Sequence, residues 1–237
     1  MATLSPKTTT KVSKQAAKRN RSNETLVPKG PQSVENAIKV IKQYKKTKFD
    51  ETINVVFHLG IDPKQADQII RGSVSLPHGI GRSARVIAFC PSDKIAMAKA
   101  AGAIEAGAED LVAKIEGGWM EFDVAVASPD MMRVVSKLGK VLGPKGLMPS
   151  PKAGTVTPDI GRAVKEYSAG KQEYRNDDGG NVHAVIGKMS FEDKALCDNL
   201  HAFIEMIHKA KPSSSKGHFI KKCVIAGCMS PGIEIAV

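Results

Sequence analysis

Several short stretches of this 237-residue chain carry residue types that could do chemistry. Gly79-Ile80-Gly81-Arg82-Ser83-Ala84 has the G-x-G-x-x-A spacing of a dinucleotide-binding turn. That turn needs a strand before it and a helix after it, so that the helix N-terminus meets the pyrophosphate. Here a Pro-containing loop precedes it and an apolar, strand-like run follows, so the setting is wrong. Gly143-Pro144-Lys145-Gly146 is flanked by Lys140 and Lys152. It lacks P-loop spacing, yet backbone N–H groups and lysines in such a loop suit a phosphate. A stiff structural loop explains the same residues, and both readings stay open. Cys223 and Cys228 stand five apart, and no C-x-x-C, H-E-x-x-H or nucleophile-elbow pattern occurs. No catalytic residue, metal site or cofactor follows from these residues. The adjacent acids Glu109-Asp110 and Asp177-Asp178 suit a helix first turn and a hairpin turn.

Two other patches suit a nucleic acid. Lys45-Lys46-Thr47-Lys48-Phe49 joins positive charge to one aromatic ring. Tyr174-Arg175-Asn176 sets a ring, a forked cation and an amide in a row. Cations hold phosphates, rings stack on bases, and amides read base edges and 2′-hydroxyls. The charge balance points the same way. Lys and Arg number 35 against 24 Asp and Glu, a formal net charge of +11. Residues 1–48 hold twelve of those cations and two acids, Glu24 and Glu35, so the excess is N-terminal. A basic chain suggests a polyanionic partner. The stretch reads as an arm on nucleic-acid backbone or as a solvated tail. For residues 1–26 an organellar transit peptide is a third reading. Four scattered cysteines fit a reducing compartment. No run approaches the ~20 apolar residues of a membrane helix, so no membrane is expected as a partner.

The elements that must position these residues follow from periodicity. Residues 1–32 lack it and read as a flexible arm. Ser33 suits an N-cap, and the apolar spacing over Val34–Tyr44 predicts a helix. Glu51–Leu59 alternates as a strand, and the Gly/Pro-rich stretch over 69–83 reads as a hinge or linker. From Arg85 on, buried-strand runs (ARVIAFC, FDVAVAS) alternate with helices (DKIAMAKAAGA, EDLVAKIEGG) and a helix or helix pair (PDMMRVVSKLGKVLG), an α/β pattern. TPDIGRAVKEYSAG predicts a helix with Thr157 as N-cap and Pro158 at its first position. KQEYRND and NVHAVIGK predict a hairpin around Asp178-Gly179-Gly180. A long amphipathic helix over FEDKALCDNLHAFIEMIHKAK and two closing strands, HFIKKCVIAG and GIEIAV, complete the chain.

The stretch SKLGKVLGPKGLMPSPKAGTVT, Ser136 to Thr157, resembles the signature of the large-subunit ribosomal protein L-one family, bacterial type. KFDETINVVFHLGID, DQIIRGSVSLPHGIGR, FDVAVASPDMM, YRNDDGGNVHAVIGK and KAKPSSSKGHFIKK fall in matching order, so the resemblance spans about Ser33 to Ile235. It implies two domains, an α+β domain I from both chain ends (33–78 plus 171–237) and an inserted Rossmann-like α/β domain II (79–170), after a basic arm (1–32). It implies a non-enzymatic constituent of the large ribosomal subunit, on the cytoplasmic ribosome and a monomer off it. Domain I would bind 23S rRNA to form the mobile stalk. The implied partners beyond the rRNA are E-site tRNA, whose release the stalk helps, and the mRNA of its own operon, which it would repress. The implied RNA surface comprises Lys48, Phe49 and Thr52, then Arg175, Asn176 and Asp177, then a turn where the family usually has Thr-Met-Gly. Here that turn reads Cys228-Met229-Ser230. A thiol donates and accepts weakly, and Ser230 adds a side chain where glycine lets backbone approach closely. Lys140, Gly143, Lys145, Gly146 and Lys152 are candidates for a further loop facing RNA or tRNA. The alternative to this reading is an α/β enzyme or binding module for a phosphorylated ligand.

Overall fold

The computed structural model describes residues 23, 25–45, 47–215 and 217–236. Most of the basic arm, residues 1–22, and Lys46 in the Lys45–Phe49 patch lie outside the described residues, as does most of the stretch 1–26 on which the transit-peptide reading falls. The end of the arm is tied down rather than free. Gln32 bridges Ile235, with Gln32 N–H donating to Glu234 O and Ala236 N–H to Gln32 O, both at 2.9 Å.

Helix α1 spans Val34–Gln43, and the Ser33 side chain accepts from Asn36 N–H. It buries Ala37, Ile38 and Ile41, the i, i+1, i+4 stripe its sequence predicts. Strand β1 (Thr52–Leu59) then alternates half-buried and buried. It pairs antiparallel with β7 (Asn181–Lys188) and β8 (Ile220–Gly227), and β8 pairs with β9 (Ile233–Ile235). Sheet order is β7-β1-β8-β9, so both ends of the chain build one sheet. Helix α7 (Asp193–Lys209) and α1 cover one of its faces. Phe57 and Phe203, both fully buried, meet there with ring centroids 5.5 Å apart. Truncating such a ring to alanine typically costs about 3–5 kcal/mol. The Lys42 ammonium joins α1 to the start of α7 through Phe191 O and Asp193.

The linker stretch contains a strand, β2 (Arg71–Val74). It pairs antiparallel with β6 (Gln172–Arg175), and Tyr174 packs edge-on against Phe203. The expected hairpin is therefore only partial. Asn176 bridges Val182 at the turn, but β6 then leaves β7 for β2. Asn199, fully buried in the apolar stripe of α7, fastens the exit from β2. Its Oδ1 accepts from His78 N–H, and its Nδ2 donates to Gly79 O and Ile186 O.

Residues 86–127 form a parallel sheet, order β4-β3-β5: β3 Val86–Phe89, β4 Glu105–Gly107 and β5 Val124–Ala127. Strand β3 is buried at all four positions. Ile87 and Phe89 face one apolar cluster with Leu111, Ile115 and Leu138, whereas Val86 and Ala88 face another with Ala98, Val164 and Tyr167. Burial on both faces is why this strand reads as an unbroken apolar run. Helices α2 (Ser92–Ala100), α3 (Glu109–Glu116) and α6 (Ile160–Ser168) flank it. The segment over 129–142, expected as a helix or a helix pair, is broken into 3-10 turns and two one-turn helices, α4 (Met132–Val135) and α5 (Gly139–Leu142). The cap of α6 is Asp159, whose side chain accepts from Arg162 N–H, and not Thr157. Thr157 is held extended by its N–H bond to Ala127 O, 3.1 Å, so the helix begins two residues later. The third apolar cluster spans residues 37–76 and 174–235, distinct from the two around the parallel sheet.

Candidate nucleic-acid interface

The alternation of β1 creates a second face, opposite α1 and α7. Thr52, Asn54, Val56 and His58 point that way, beside His183, Val185 and Lys188 of β7 and Lys222, Val224 and Ala226 of β8. No helix among the described residues packs over this face. It holds a shallow groove lined by Asn54, Val56, Gln172, His183, Val185 and Ala226.

At the Thr52 end of this sheet, three chain segments converge. Lys48 and Phe49 lead into β1, with the Phe49 carbonyl accepting from Thr47 Oγ1 at 2.6 Å. The turn after β8 brings Cys228, Met229 and Ser230 alongside, and Cys228 N–H donates to Thr52 O at 3.0 Å. The turn after β7 brings Met189 and Ser190, which Asp50 holds through Ser190 N–H and Oγ. A cleft of about 300 Å³ opens between them, lined by Lys45, Thr47, Phe49, Glu51, Met189 and Ser230 among others. Phe49 is 53% exposed and Met229 47%, two large apolar side chains left in water beside the exposed Lys45 and Lys48. An exposed ring, a polarizable thioether and cations on a rigid sheet end suit stacking on bases with phosphates alongside.

Glu51 organises this end, and the sequence reading gave it no role. It is 3% exposed, and its Oε2 accepts from Ser230 Oγ at 3.0 Å and from Met229 N–H at 3.4 Å. A buried carboxylate must be hydrogen-bonded, and here the donors are those of the Met229 turn. Its signal was in the alternation. Glu51 shares its parity with Ile53, Val55, Phe57 and Leu59, the inward set. Ser230 is thus more than a glycine replacement, since its hydroxyl locks the turn to β1.

The structure brings together Lys48, Phe49, Thr52, Cys228, Met229 and Ser230. Arg175, Asn176 and Asp177 lie at the other end of β1, about 20 Å away at ~3.3 Å per residue. The open sheet face connects the two ends. Arg175 and Asp177 are exposed and Asn176 is buried, and Asn176 and Asp177 both serve the turn. Asn176 is 7% exposed; its Oδ1 accepts from Ile70 N–H and its Nδ2 donates to Asp177 O. Asp177 accepts from Asn181 and Gly179 N–H and from Asn181 Nδ2. The Asn181 amides, first the side chain and then the backbone, hold its carboxyl below the usual carboxylate range.

The Lys140–Lys152 loop belongs to the layer around the parallel sheet. Lys140, Lys145 and Lys152 are exposed above buried Leu138 and Leu142. Three of the loop's backbone amides are spent internally. Gly143 N–H bonds Gly139 O, Gly146 N–H bonds Gly143 O, and Leu147 N–H bonds Leu142 O. Those three N–H groups are not available to cradle a phosphate, and the exposed lysines remain. Cys223 faces the core, where burial pushes its thiol up to about 12, whereas Cys228 is exposed. Among the described residues, no group of three or more His, Cys, Asp or Glu could hold a metal ion, and no helix is long and apolar enough to cross a membrane.

Comparison with known proteins agrees with these features. A protein called large ribosomal subunit protein uL1, from Nocardioides sp. strain JS614, is 51% identical over 199 residues, covering 84% of this chain and 83% of the relative. The model of the ribosomal protein L1p/L10e family matches residues 41–231, which include both ends of β1, the Lys140–Lys152 loop and the Cys228–Ser230 turn. The chain therefore belongs to the ribosomal protein L1p/L10e family and is a ribosomal protein, not an enzyme.

Proposed function

We propose that this protein, a constituent of the large ribosomal subunit, binds 23S rRNA directly through the end and open face of its four-stranded sheet. The observation that carries this is the pair of exposed apolar side chains at one sheet end, Phe49 on the segment leading into β1 and Met229 on the turn that the buried Glu51 pins to it, with the exposed Lys45 and Lys48 on the same segment as Phe49. Exposed apolar side chains beside cations suit a surface that a polyanionic partner with stacking bases covers. Phe49 and Met229 contact bases, Lys45, Lys48 and Arg175 contact phosphates, and Thr52, Asn54 and His58 supply polar groups for base edges and 2′-hydroxyls. Asn176 and Asp177 act indirectly, by fixing the turn that presents Arg175. Cys228 makes a weaker polar contact than a threonine would.

The separation of apolar clusters supports reading 33–78 with 171–237 as the anchoring domain I and 79–170 as domain II. Domain II is then free to swing on the β2–β6 ribbon and to present Lys140, Lys145 and Lys152 toward tRNA. Family membership extends the reading to release of E-site tRNA from a mobile stalk, and to repression of its own operon's mRNA by the same RNA surface.

Binding to the stalk fragment of 23S rRNA and to an unrelated RNA of equal length, across a salt series, tests this. A preference for the stalk RNA that persists at high salt is the expected result. Equal affinity for both, collapsing with salt, would mean that only charge is being read.

A further inference from the structure

The cleft at the Phe49–Met229 end has a polar inventory of its own. Asp50 and Glu51 both line it, so a phosphate entering it would meet two carboxylates. Most of its hydrogen-bonding groups are already spent. Asp50 accepts from Ser190 N–H and Oγ, Thr47 Oγ1 donates to Phe49 O, and Ser230 Oγ donates to Glu51 Oε2. Two groups are left over. Both bonds from the Met229 turn go to Glu51 Oε2, and Oε1 accepts from none of the described residues. Tyr44 also lines the cleft and is 3% exposed. Its hydroxyl is buried and has no hydrogen-bond partner among the described residues. A buried polar atom left without a partner is costly and rare, so it needs a physical reason.

The surroundings narrow the choice of ligand. About 300 Å³ is the small end of ligand pockets, room for one planar ring system and not for a duplex. Phe49, half exposed on the lining, can stack on such a ring, and the exposed Lys45 can hold its phosphate outside. An ionised carboxylate oxygen only accepts, so Glu51 Oε1 selects a base edge that donates. Adenine, cytosine and guanine carry an exocyclic amino group that does so, and uracil carries none. The tyrosine hydroxyl can donate, which suits the ring nitrogen or carbonyl beside that amino group.

We propose that this cleft is a pocket for one unstacked, amino-bearing base of the bound RNA, read by Glu51 Oε1 and the Tyr44 hydroxyl. The proposal rests on the RNA reading of the sheet end. The hydroxyl is closed to water in the free protein, so the cleft opens further as the base seats. The hydroxyl gains its partner only then, and it therefore favours the bound state and adds nothing to the fold.

The test compares the unaltered chain with Tyr44→Phe, which removes only the hydroxyl, and with Phe49→Ala. The probe is the stalk fragment of 23S rRNA, with an unrelated RNA of equal length as control. Each nucleotide that the unaltered chain shields from hydroxyl radicals and Phe49→Ala does not is replaced in turn. One replacement is an abasic nucleotide. The other is the analogue without the amino group: inosine for guanosine, purine riboside for adenosine, uridine for cytidine. At one position both replacements weaken binding of the unaltered chain about tenfold or more. Tyr44→Phe binds the intact RNA about 3- to 10-fold more weakly, one neutral hydrogen bond's worth, and the abasic penalty at that position shrinks by the same factor. Its urea unfolding shows no loss of stability, because an unpartnered hydroxyl has been removed. Binding of Tyr44→Phe within threefold of the unaltered chain overturns the proposal. So does an amino-free analogue that binds as well as the intact RNA at every position. A clear loss of stability in Tyr44→Phe also overturns it, since the hydroxyl would then be bonded in the free protein. In those cases a stalk preference that Phe49→Ala still weakens leaves the sheet-end reading standing and only the pocket fails. If the unaltered chain shows no preference for the stalk RNA and Phe49→Ala changes nothing, the reading of the sheet end has failed, and the proposal with it.

Discussion

Glu51→Ala removes the carboxylate that pins the Cys228–Ser230 turn to β1. Two hydrogen bonds go, one from Ser230 Oγ at 3.0 Å and one from Met229 N–H at 3.4 Å. A hydrogen bond to a charged group is worth about 1.5–3 kcal/mol, and the 3.4 Å bond lies beyond the optimal range and counts for less. The expected loss of stability is therefore about 2–4 kcal/mol. A domain with the usual 5–15 kcal/mol stays folded after that loss, so a binding defect is not an unfolding defect. The freed turn must be re-ordered when RNA binds. Fixing one side chain costs about 0.5–1.5 kcal/mol, and each backbone residue about 1–2 kcal/mol. At ~1.4 kcal/mol per tenfold, stalk-RNA affinity falls about 10- to 100-fold. Urea unfolding gives the first quantity and calorimetric titration with the RNA fragment the second. Glu51→Gln, which keeps one acceptor oxygen but loses the charge, falls between the two. An affinity within twofold of the unaltered protein, despite the lost stability, would refute the claim that this carboxylate shapes the binding surface.

Asn199→Ala leaves His78 N–H, Gly79 O and Ile186 O without their side-chain partner and opens a small cavity, so urea unfolding shows a loss of about 2–4 kcal/mol. Asp159→Ala removes the cap of α6 and costs about 1 kcal/mol, measured the same way, while Thr157→Ala costs less because its side chain caps nothing in the helix. Asp177 has a depressed carboxyl pKa, so its contribution to stability is complete above the ordinary value near ~3.9 and is lost as pH falls through the lower folded value. The stability difference between the unaltered protein and Asp177→Asn, followed by denaturant melts from pH ~6 to ~3, is constant at first and shrinks at the acid end; a difference flat over the whole range would contradict this.

Much of the fold was legible because local pattern and burial agree. The alternation in β1 and the unbroken apolar runs of β3 and β5 identify strands with one and two buried faces. What escaped was set by long-range contacts. Glu105-Ala106-Gly107 has no strand propensity and becomes β4 because it pairs along β3. Thr157 and Asp159 are equally good caps in isolation, and only the bond from Thr157 N–H to Ala127 O decides between them. Strand β6 leaves its hairpin partner because Ile70, over a hundred residues away, binds the Asn176 side chain and backbone. Among the residues proposed for the interface, types and the family signature pointed to Lys48, Phe49 and Met229. Glu51 was visible only as a charge on the inward parity of β1. The distance between the Phe49 end and the Asp177 end follows from sheet register, which no local motif carries.

The most direct test of the RNA surface is the affinity of the Phe49→Ala, Met229→Ala double variant for the stalk fragment of 23S rRNA, with its stability measured in parallel. Both side chains are about half exposed, so truncation should leave stability within about 0.5 kcal/mol per site. Stacking on a base is worth about 1–3 kcal/mol, so affinity should fall by at least tenfold and the preference over unrelated RNA should narrow. A double variant that binds the stalk RNA as tightly and as selectively as the unaltered protein would show that the RNA lies elsewhere on the molecule.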